Sequence, residues 1–130
     1  MQRELASLLR KHDRPSIAKI QRHLTKRAKA LRVRAPSRAS IYNFFPRCAP
    51  HRYAISELPE WVRAALYNLT TGTVPGHQLV FYAFQYGDSR AMCFAASLPW
   101  IDLYLADRMR GWRERSHGLL RAVMRFRAIA

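Results

Sequence analysis

The chain has 130 residues, of which 23 are lysine or arginine and 8 are aspartate or glutamate, so its formal net charge is +15 with histidine neutral. Apolar residues make up 49% of the sequence, which is enough for a packed core and excludes a wholly disordered chain. A positive excess of this size predicts a polyanionic partner, with nucleic acid first and an anionic membrane surface second.

The charge is concentrated at the two ends of the chain. Residues 1–52 hold 14 basic and 2 acidic side chains, which gives a net charge of +12. Residues 53–107 have a net charge of −3, and residues 108–130 have a net charge of +6. A surface made basic only for solubility would mix the two signs, so this segregation favours a dedicated basic binding region.

Cysteine content and hydropathy indicate the compartment. Cys48 and Cys93 are the only cysteines, too few for a disulfide scaffold, and we expect both to be reduced. The N-terminal residues lack the apolar stretch of a signal peptide, and the longest apolar run, Leu79 to Phe84, is too short to span a bilayer. These features predict a cytoplasmic protein that does not enter a membrane.

The N-terminal region predicts two helices. Leucines at helical spacing predict a short helix over residues 2–11, and Asp13, Pro15 and Ser16 interrupt it and begin the second helix. In the second helix, the apolar residues follow one another at steps of three or four, as an amphipathic helix requires. These residues are Ile17, Ile20, Leu24, Ala28 and Leu31. Lysines and arginines occupy its other sides.

A third, shorter helix is predicted after the connection that ends at Pro36. Ser37 is placed to cap it, and Pro46 limits its length because proline cannot donate inside a helix. The expected buried side is Ala39, Tyr42 and Phe45, while Arg38, Ser40, Ile41 and Asn43 face elsewhere. The prediction is therefore a helix with an aromatic anchor and a basic, polar outer side.

The run Ser37-Arg38-Ala39-Ser40-Ile41-Tyr42 resembles the recognition helix of bacterial helix-turn-helix regulators, and the resemblance covers residues 16–55. Arg38, Ser40 and Asn43 are the expected base-reading residues, since arginine pairs with guanine and asparagine with adenine in the major groove. Seven cations are expected to contact phosphates: Lys19, Arg22, Lys26, Arg27, Lys29, Arg32 and Arg34.

The remaining chain reads as short elements around an apolar middle. Residues 52–55 predict a strand that could start a β wing, although no partner strand is evident, and Pro59 predicts the start of a helix.

The second half of the chain is predicted to be helical. Residues 79–84 are apolar on all sides, so periodicity does not decide between a helix and a strand, and a helix is favoured. Further helices are expected at 89–96 and 99–110. A last helix is expected from Ser116, with Leu119, Leu120, Val123, Met124 and Phe126 on its apolar side.

Residues 89–108 can also be read as a second helix-turn-helix pattern, but its outer residues would be carboxylates and large apolar groups, which phosphates would repel or leave unpaired. We interpret the segment as core or as a protein-protein surface. Four apolar or aromatic residues are the expected dimer or partner surface: Trp100, Ile101, Tyr104 and Leu105.

The sequence offers little support for catalysis or for a metal site. The five histidines are scattered, and no Ser/His/Asp order or glycine-rich phosphate loop is present. Cys48 and His51 form only half of a zinc site. We therefore expect no enzyme, no metal and no cofactor.

Together these features predict a mainly α fold: a basic helix-turn-helix or winged-helix unit over residues 1–72 and an apolar helical half over residues 73–130. This second half is expected to pack on the first as core, or to form a dimer or partner contact. The predicted function is a small repressor-like regulator that reads double-stranded DNA in the major groove, as a homodimer. One alternative is an antitoxin-type protein that neutralises a partner toxin. A second alternative is an RNA-binding protein whose aromatic residues stack on unpaired bases.

Overall fold

The computed structural model describes residues 2–9, 16–47, 51–67 and 69–129, and this part of the chain is mainly helical, as predicted. It contains eight α-helices and two short strands: α1 (Gln2–Leu9), α2 (Ile17–Leu31), α3 (Arg38–Phe44), β1 (Arg52–Ala54), α4 (Glu60–Arg63), β2 (Thr73–Pro75), α5 (Gly76–Tyr86), α6 (Ser89–Ala96), α7 (Trp100–Asp107) and α8 (Glu114–Ile129). Among these helices, none has the length and apolar character needed to cross a membrane.

The first three helices pack around a shared apolar cluster, here called the N-terminal core. Its buried members are Leu5, Ala6, Leu9, Ile20, Leu24, Ile41, Phe45, Trp100 and Ile101. α2 begins where the Ser16 hydroxyl accepts the backbone N–H of Lys19 at 3.4 Å. The predicted apolar stripe of α2 holds except at Leu31, which is 50% exposed. Leu31 lies in the last turn of α2, a helix about twice as long as α1 or α3, and so extends past their cover.

The predicted strand over residues 52–55 is present as β1, and its partner is β2, which the sequence did not reveal. The strands are antiparallel, with Tyr53 opposite Val74, and the Gly76 N–H donates to the His51 carbonyl at 2.8 Å. The pairing joins residues on either side of position 72, and the division into 1–72 and 73–130 stays a prediction.

A larger cluster, the central core, lies around α5. Its buried members are Ile55, Leu58, Val62, Leu66, Val74, Leu79, Val80, Ala83, Phe84, Ala91, Ala95, Leu98, Leu103, Ala106 and Leu120. The apolar run 79–84 is therefore helical, as favoured from the sequence, and it is apolar on several sides because α6, α7 and α8 all contact α5.

A buried carboxylate sits where α5 begins. Asp102 of α7 is fully buried, and its carboxyl group lies so close to Gly76 that any Cβ at that position would overlap it. The N-terminal end of a helix carries partial positive charge, which favours a carboxylate there. Burial, together with this carboxylate, raises the pKa of Tyr53 on β1 to about 12. Gly76 and Asp102 thus fix α5, α7 and the strand pair against one another.

The predicted partner surface on α7 is wrong, because its residues lie in or against the N-terminal core. Trp100 and Ile101 are 7% and 1% exposed because they complete the N-terminal core, and Tyr104 and Leu105 are partly buried against it. Trp100 and Ile101 are therefore interior residues, and the four do not form an exposed surface for a dimer or a partner. Of the two interpretations given for residues 89–108, core or a protein-protein surface, the burial of Trp100 and Ile101 supports core.

α8 differs from its prediction in its start and its apolar side. It begins at Glu114, two residues before Ser116, which is a buried residue within the helix. Leu120 is fully buried, but Leu119 is 46% and Phe126 is 73% exposed. Residues 119 and 126 lie about 100° and 120° from Leu120 around the helix axis, on the same side, so they cannot share its buried side.

Candidate nucleic-acid interface

α3 is fixed by a capped start and an apolar anchor. The Ser37 hydroxyl accepts the Ser40 backbone N–H at 3.2 Å, as predicted for an N-cap. Ile41 and Phe45, four residues apart, are 0% and 3% exposed in the N-terminal core. The Phe45 ring meets the Tyr104 ring edge to face, with centroids 5.4 Å apart. α3 is thereby held against α7 with one side free.

The predicted buried side of α3 is wrong in two of its three residues. Phe45 is buried, but Tyr42 is 53% exposed and Ala39 is also exposed, whereas Ile41 is fully buried. Positions 39, 42 and 45 spread over about 120° of the helix, while positions 41 and 45 lie about 40° apart and can both reach one core. The free side of α3 therefore includes Ala39 and Tyr42.

All three predicted base-reading residues are exposed, but they do not lie on one side of α3. The Nε of Arg38 donates to Oε1 of Gln21 on α2 at 3.3 Å, and the Ser40 hydroxyl lies 3.1 Å from that of the capping serine. Asn43 lies about 140° around the helix axis from Arg38. Asn43 is thus central on the outward side, whereas Arg38 is on the flank beside α2.

The outward side of α2 carries a row of cations, here called the basic stripe: Lys19, Arg22, Lys26 and Lys29. Their spacing places them within an arc of about 80°, opposite the buried side of the helix, and over a length of about 15 Å. All four are exposed, and none forms an ion pair or a side-chain hydrogen bond with another described residue. Their charges are therefore available to a partner.

Arg27, also predicted to contact phosphate, lies on the side of α2 that faces α1. Its Nε is 3.5 Å from Oε2 of Glu4, and His23 Nε2 is 2.9 Å from the other oxygen of the same carboxylate. This contact joins α1 to α2 and offsets part of the Arg27 charge. The structure does not bring Arg27 into the basic stripe.

The connection from α2 to α3 is set by a helix-ending turn. Arg32 adopts a left-handed φ of 56°, and the next N–H, that of Val33, donates to the Ala28 carbonyl at 3.0 Å. Residues 34–37 form no regular structure, and Ser37, the N-cap of α3, is extended. Arg32 and Arg34 are both exposed on this connection, as phosphate contact requires.

A groove of about 600 Å³ lies between α2 and the start of α3. It is lined by Gln21, Thr25, Arg34, Ala35, Pro36, Ser37 and Ser40. Gln21 and Thr25 were missed from the sequence, although their position between the buried and basic sides of α2 could have indicated them. The groove offers amide, hydroxyl and guanidinium groups beside the basic stripe, a combination that suits phosphate and sugar oxygens.

Some arginines of the basic tail have roles within the fold. Arg108 donates to the Tyr104 hydroxyl at 3.1 Å, and the Arg113 guanidinium lies 5.0 Å from the centre of the Tyr86 ring. These contacts explain part of the +6 charge of residues 108–130 without any partner. The basic stripe has no comparable intramolecular contacts among the described residues.

The predicted zinc half-site, Cys48 and His51, lies only partly within the described residues. Cys48 lies outside the described residues, and the ring of His51 packs edge to face on Tyr53 with centroids 4.7 Å apart. Within the described residues, no group of three or more histidine, cysteine or carboxylate side chains is placed to hold a metal ion.

Comparison with protein-family models, curated proteins and solved structures finds no match to this chain. The interpretation of the surface formed by α2 and α3 therefore depends on its own geometry and charge.

Proposed function

We propose that the chain is a small regulator that binds double-stranded DNA, with α2 lying along the phosphate backbone and α3 directed at the groove. The observation that carries this proposal is the basic stripe, four exposed cations in one row on a capped helix, with no ion pair to any described residue. Binding over a promoter would exclude the transcription machinery, which is the simplest mechanism for a repressor of this size.

The dimensions of the basic stripe suit duplex DNA. Duplex DNA carries one negative charge per roughly 1.7 Å of its axis, so a length of about 15 Å contains roughly nine phosphates over the two strands, and those on the near side can contact the stripe. Four cations can each meet a phosphate within that length. Arg34 and the groove beside the stripe add further contacts at the edge that leads to α3.

Sequence reading is assigned to α3. Asn43 lies on its outward side, and an asparagine amide can pair with the N6 and N7 atoms of adenine in the major groove. Arg38 lies on the flank, 3.3 Å from Gln21, and can reach guanine only if it leaves this contact. Asn43 is therefore the first candidate for base recognition, with Arg38 and Ser40 closer to the backbone.

The arrangement is consistent with a helix-turn-helix unit, which stays part of the proposal. Two helices on a shared core, with the second capped and free on one side, match what such a unit needs. The connection over residues 32–37 is longer than the tight turn of the simplest members. A wing would have to come from β1 and β2, between which α4 is inserted.

The proposal is tested by fluorescence anisotropy on the DNA upstream of the coding sequence and on a scrambled duplex, across a salt series. We expect a preference for the upstream DNA that persists at physiological salt. Asn43→Ala should reduce that preference by about 1–3 kcal/mol, whereas Arg22→Ala should weaken both duplexes equally. Equal binding to both duplexes that disappears with salt would leave only non-specific attraction and contradict the proposal.

Single-stranded nucleic acid is the second candidate, and the exposure of Tyr42 favours it. A ring that is 53% exposed beside a basic surface can stack on an unpaired base. In competition between the duplex and a single-stranded or stem-loop RNA, a duplex regulator prefers the duplex, and Tyr42→Ala changes that affinity little. A preference for RNA that Tyr42→Ala abolishes would replace the first proposal with the second.

A further inference from the structure

α8 carries an unpartnered apolar row on its outer side. Leu119 and Phe126, 46% and 73% exposed, lie one heptad apart, with the exposed Ala122 between them. Arg115 continues the row one turn earlier. The spacing from 115 to 126 is four, three and four residues, which is the pattern of the contact line of a coiled coil. This row of four residues is here called the α8 seam.

The inner side of α8 is fixed at both ends, so the α8 seam is preformed. Near the start, His117 Nε2 lies 2.6 Å from the Asp107 carboxylate, which also meets Arg121 Nε at 3.2 Å. Near the end, Nη1 of Arg127 donates to the Leu98 carbonyl at 2.7 Å. A surface that is already ordered loses little conformational entropy when it binds.

The arginines of α8 divide into two groups. Arg121 and Arg127 are held by the contacts just described, whereas Arg115 and Arg125 are exposed and form no ion pair or side-chain hydrogen bond with another described residue. Arg125 lies on the flank of the α8 seam, about 80° from Arg115 around the axis. Two exposed cations without an ion pair among the described residues thus lie at one end and on one flank of the apolar row.

We propose that the α8 seam docks an acidic amphipathic helix of another protein, a role separate from the binding of nucleic acid. Partner leucines or similar side chains would cover Leu119 and Phe126, and partner carboxylates would meet Arg115 and Arg125. This charge complementarity steers association and selects the partner. Helix-in-groove recognition uses the same spacing of apolar anchors.

Other occupants fit less well. A second copy would place Arg115 and Arg125 against arginines of an equally basic chain, which costs free energy. A lipid surface favours a broad apolar side, and the α8 seam is only one residue wide. Nucleic acid bound through its phosphates would meet the two arginines but would leave Phe126 without an apolar contact.

The test uses two labelled synthetic helical peptides with leucines at the contact positions, one flanked by glutamates and the other by lysines. In anisotropy titrations at physiological salt, the glutamate peptide should bind and the lysine peptide should not. Leu119→Ser with Phe126→Ser should weaken binding by about tenfold or more. Arg115→Glu with Arg125→Glu should reverse the peptide preference.

The matched control is Leu31→Ser with Val33→Ser. These residues are 50% and 51% exposed and lie next to arginines, but they do not form a helical seam, so peptide binding should not change. An equal loss in the control, or an unchanged preference after charge reversal, would overturn the proposal. So would a dimer in sedimentation velocity that Phe126→Ser dissociates, or the same Ser variants abolishing binding to phosphatidylcholine–phosphatidylglycerol vesicles.

Discussion

Replacing the basic stripe with glutamine, as Lys19→Gln, Arg22→Gln, Lys26→Gln and Lys29→Gln together, should change the salt dependence of DNA binding by a calculable amount. Each neutralised phosphate contributes about 0.9 to the slope of log affinity against log salt concentration. Loss of four contacts therefore lowers that slope by about 3.6. Between 50 and 200 mM salt, the parent chain should then lose roughly 150-fold more affinity than the variant. Anisotropy titrations on one duplex at four salt concentrations measure both slopes.

The matched control removes four charges elsewhere: Arg63→Gln, Arg110→Gln, Arg115→Gln and Arg125→Gln. All four side chains are exposed, and none forms an ion pair or side-chain hydrogen bond with another described residue, so folding should be unaffected. Both variants carry the same net charge. If the control lowers the slope as much as the stripe variant does, total charge rather than the surface of α2 drives binding, and the reasoning fails.

Three further predictions concern the fold. Gly76→Ala should lower the free energy of unfolding by at least about 1–3 kcal/mol in urea because its Cβ overlaps the buried Asp102 carboxyl, while Gly118→Ala, with open space around it, should be neutral or stabilising. Since burial, aided by Asp102, raises the pKa of Tyr53 to about 12 from 10.0, the folded chain keeps a proton that the unfolded chain has lost. The free energy of unfolding should therefore fall as the pH rises from 10 to 12, and Tyr53→Phe should reduce that fall. Burial lowers the pKa of His77 below 6.5, so the unfolded chain binds this proton at a higher pH than the folded chain does. The contribution of His77 to the free energy of unfolding is therefore complete above pH 6.5 and is lost as the pH falls below it. If His77→Gln leaves this acid-side loss unchanged, His77 is not its source.

A helix could be predicted from the sequence where the residues that determine its position lie within one segment. α2 could be predicted because its apolar stripe, its Ser16 cap and its cations are all contained within one segment. The buried side of α3 could not be predicted, because two sets of residues are consistent with helical spacing. One set is Ala39, Tyr42 and Phe45, and the other is Ile41 and Phe45. The choice between them depends on where α1 and α7 lie, which no local pattern encodes.

The same distinction applies to the candidate interface. The basic stripe could be predicted because solvated cations on a helix need no partner in the fold. The role of Arg27 could not, since it depends on Glu4, which is distant in sequence and close in space. Gln21 and Thr25 line the groove only because the chain turns back after Arg32. Contacts between segments, rather than residue types, decide which of the predicted residues lie together on this surface.

Segregation of charge along the sequence does not mean segregation in space. Residues 53–107 carry a net charge of −3 and separate the two basic ends in the sequence, yet Trp100 and Ile101 from this block complete the core beneath α3. The ring of Phe45, the residue that follows α3, contacts the rings of both Trp100 and Tyr104, at 6.5 and 5.4 Å between centroids. A short helix of seven residues is marginal by itself. The exposed side of α3 is therefore held in place by apolar residues of the acidic block, and a fragment that ends at residue 72 would lack two of the buried side chains, Trp100 and Ile101, that α3 packs against.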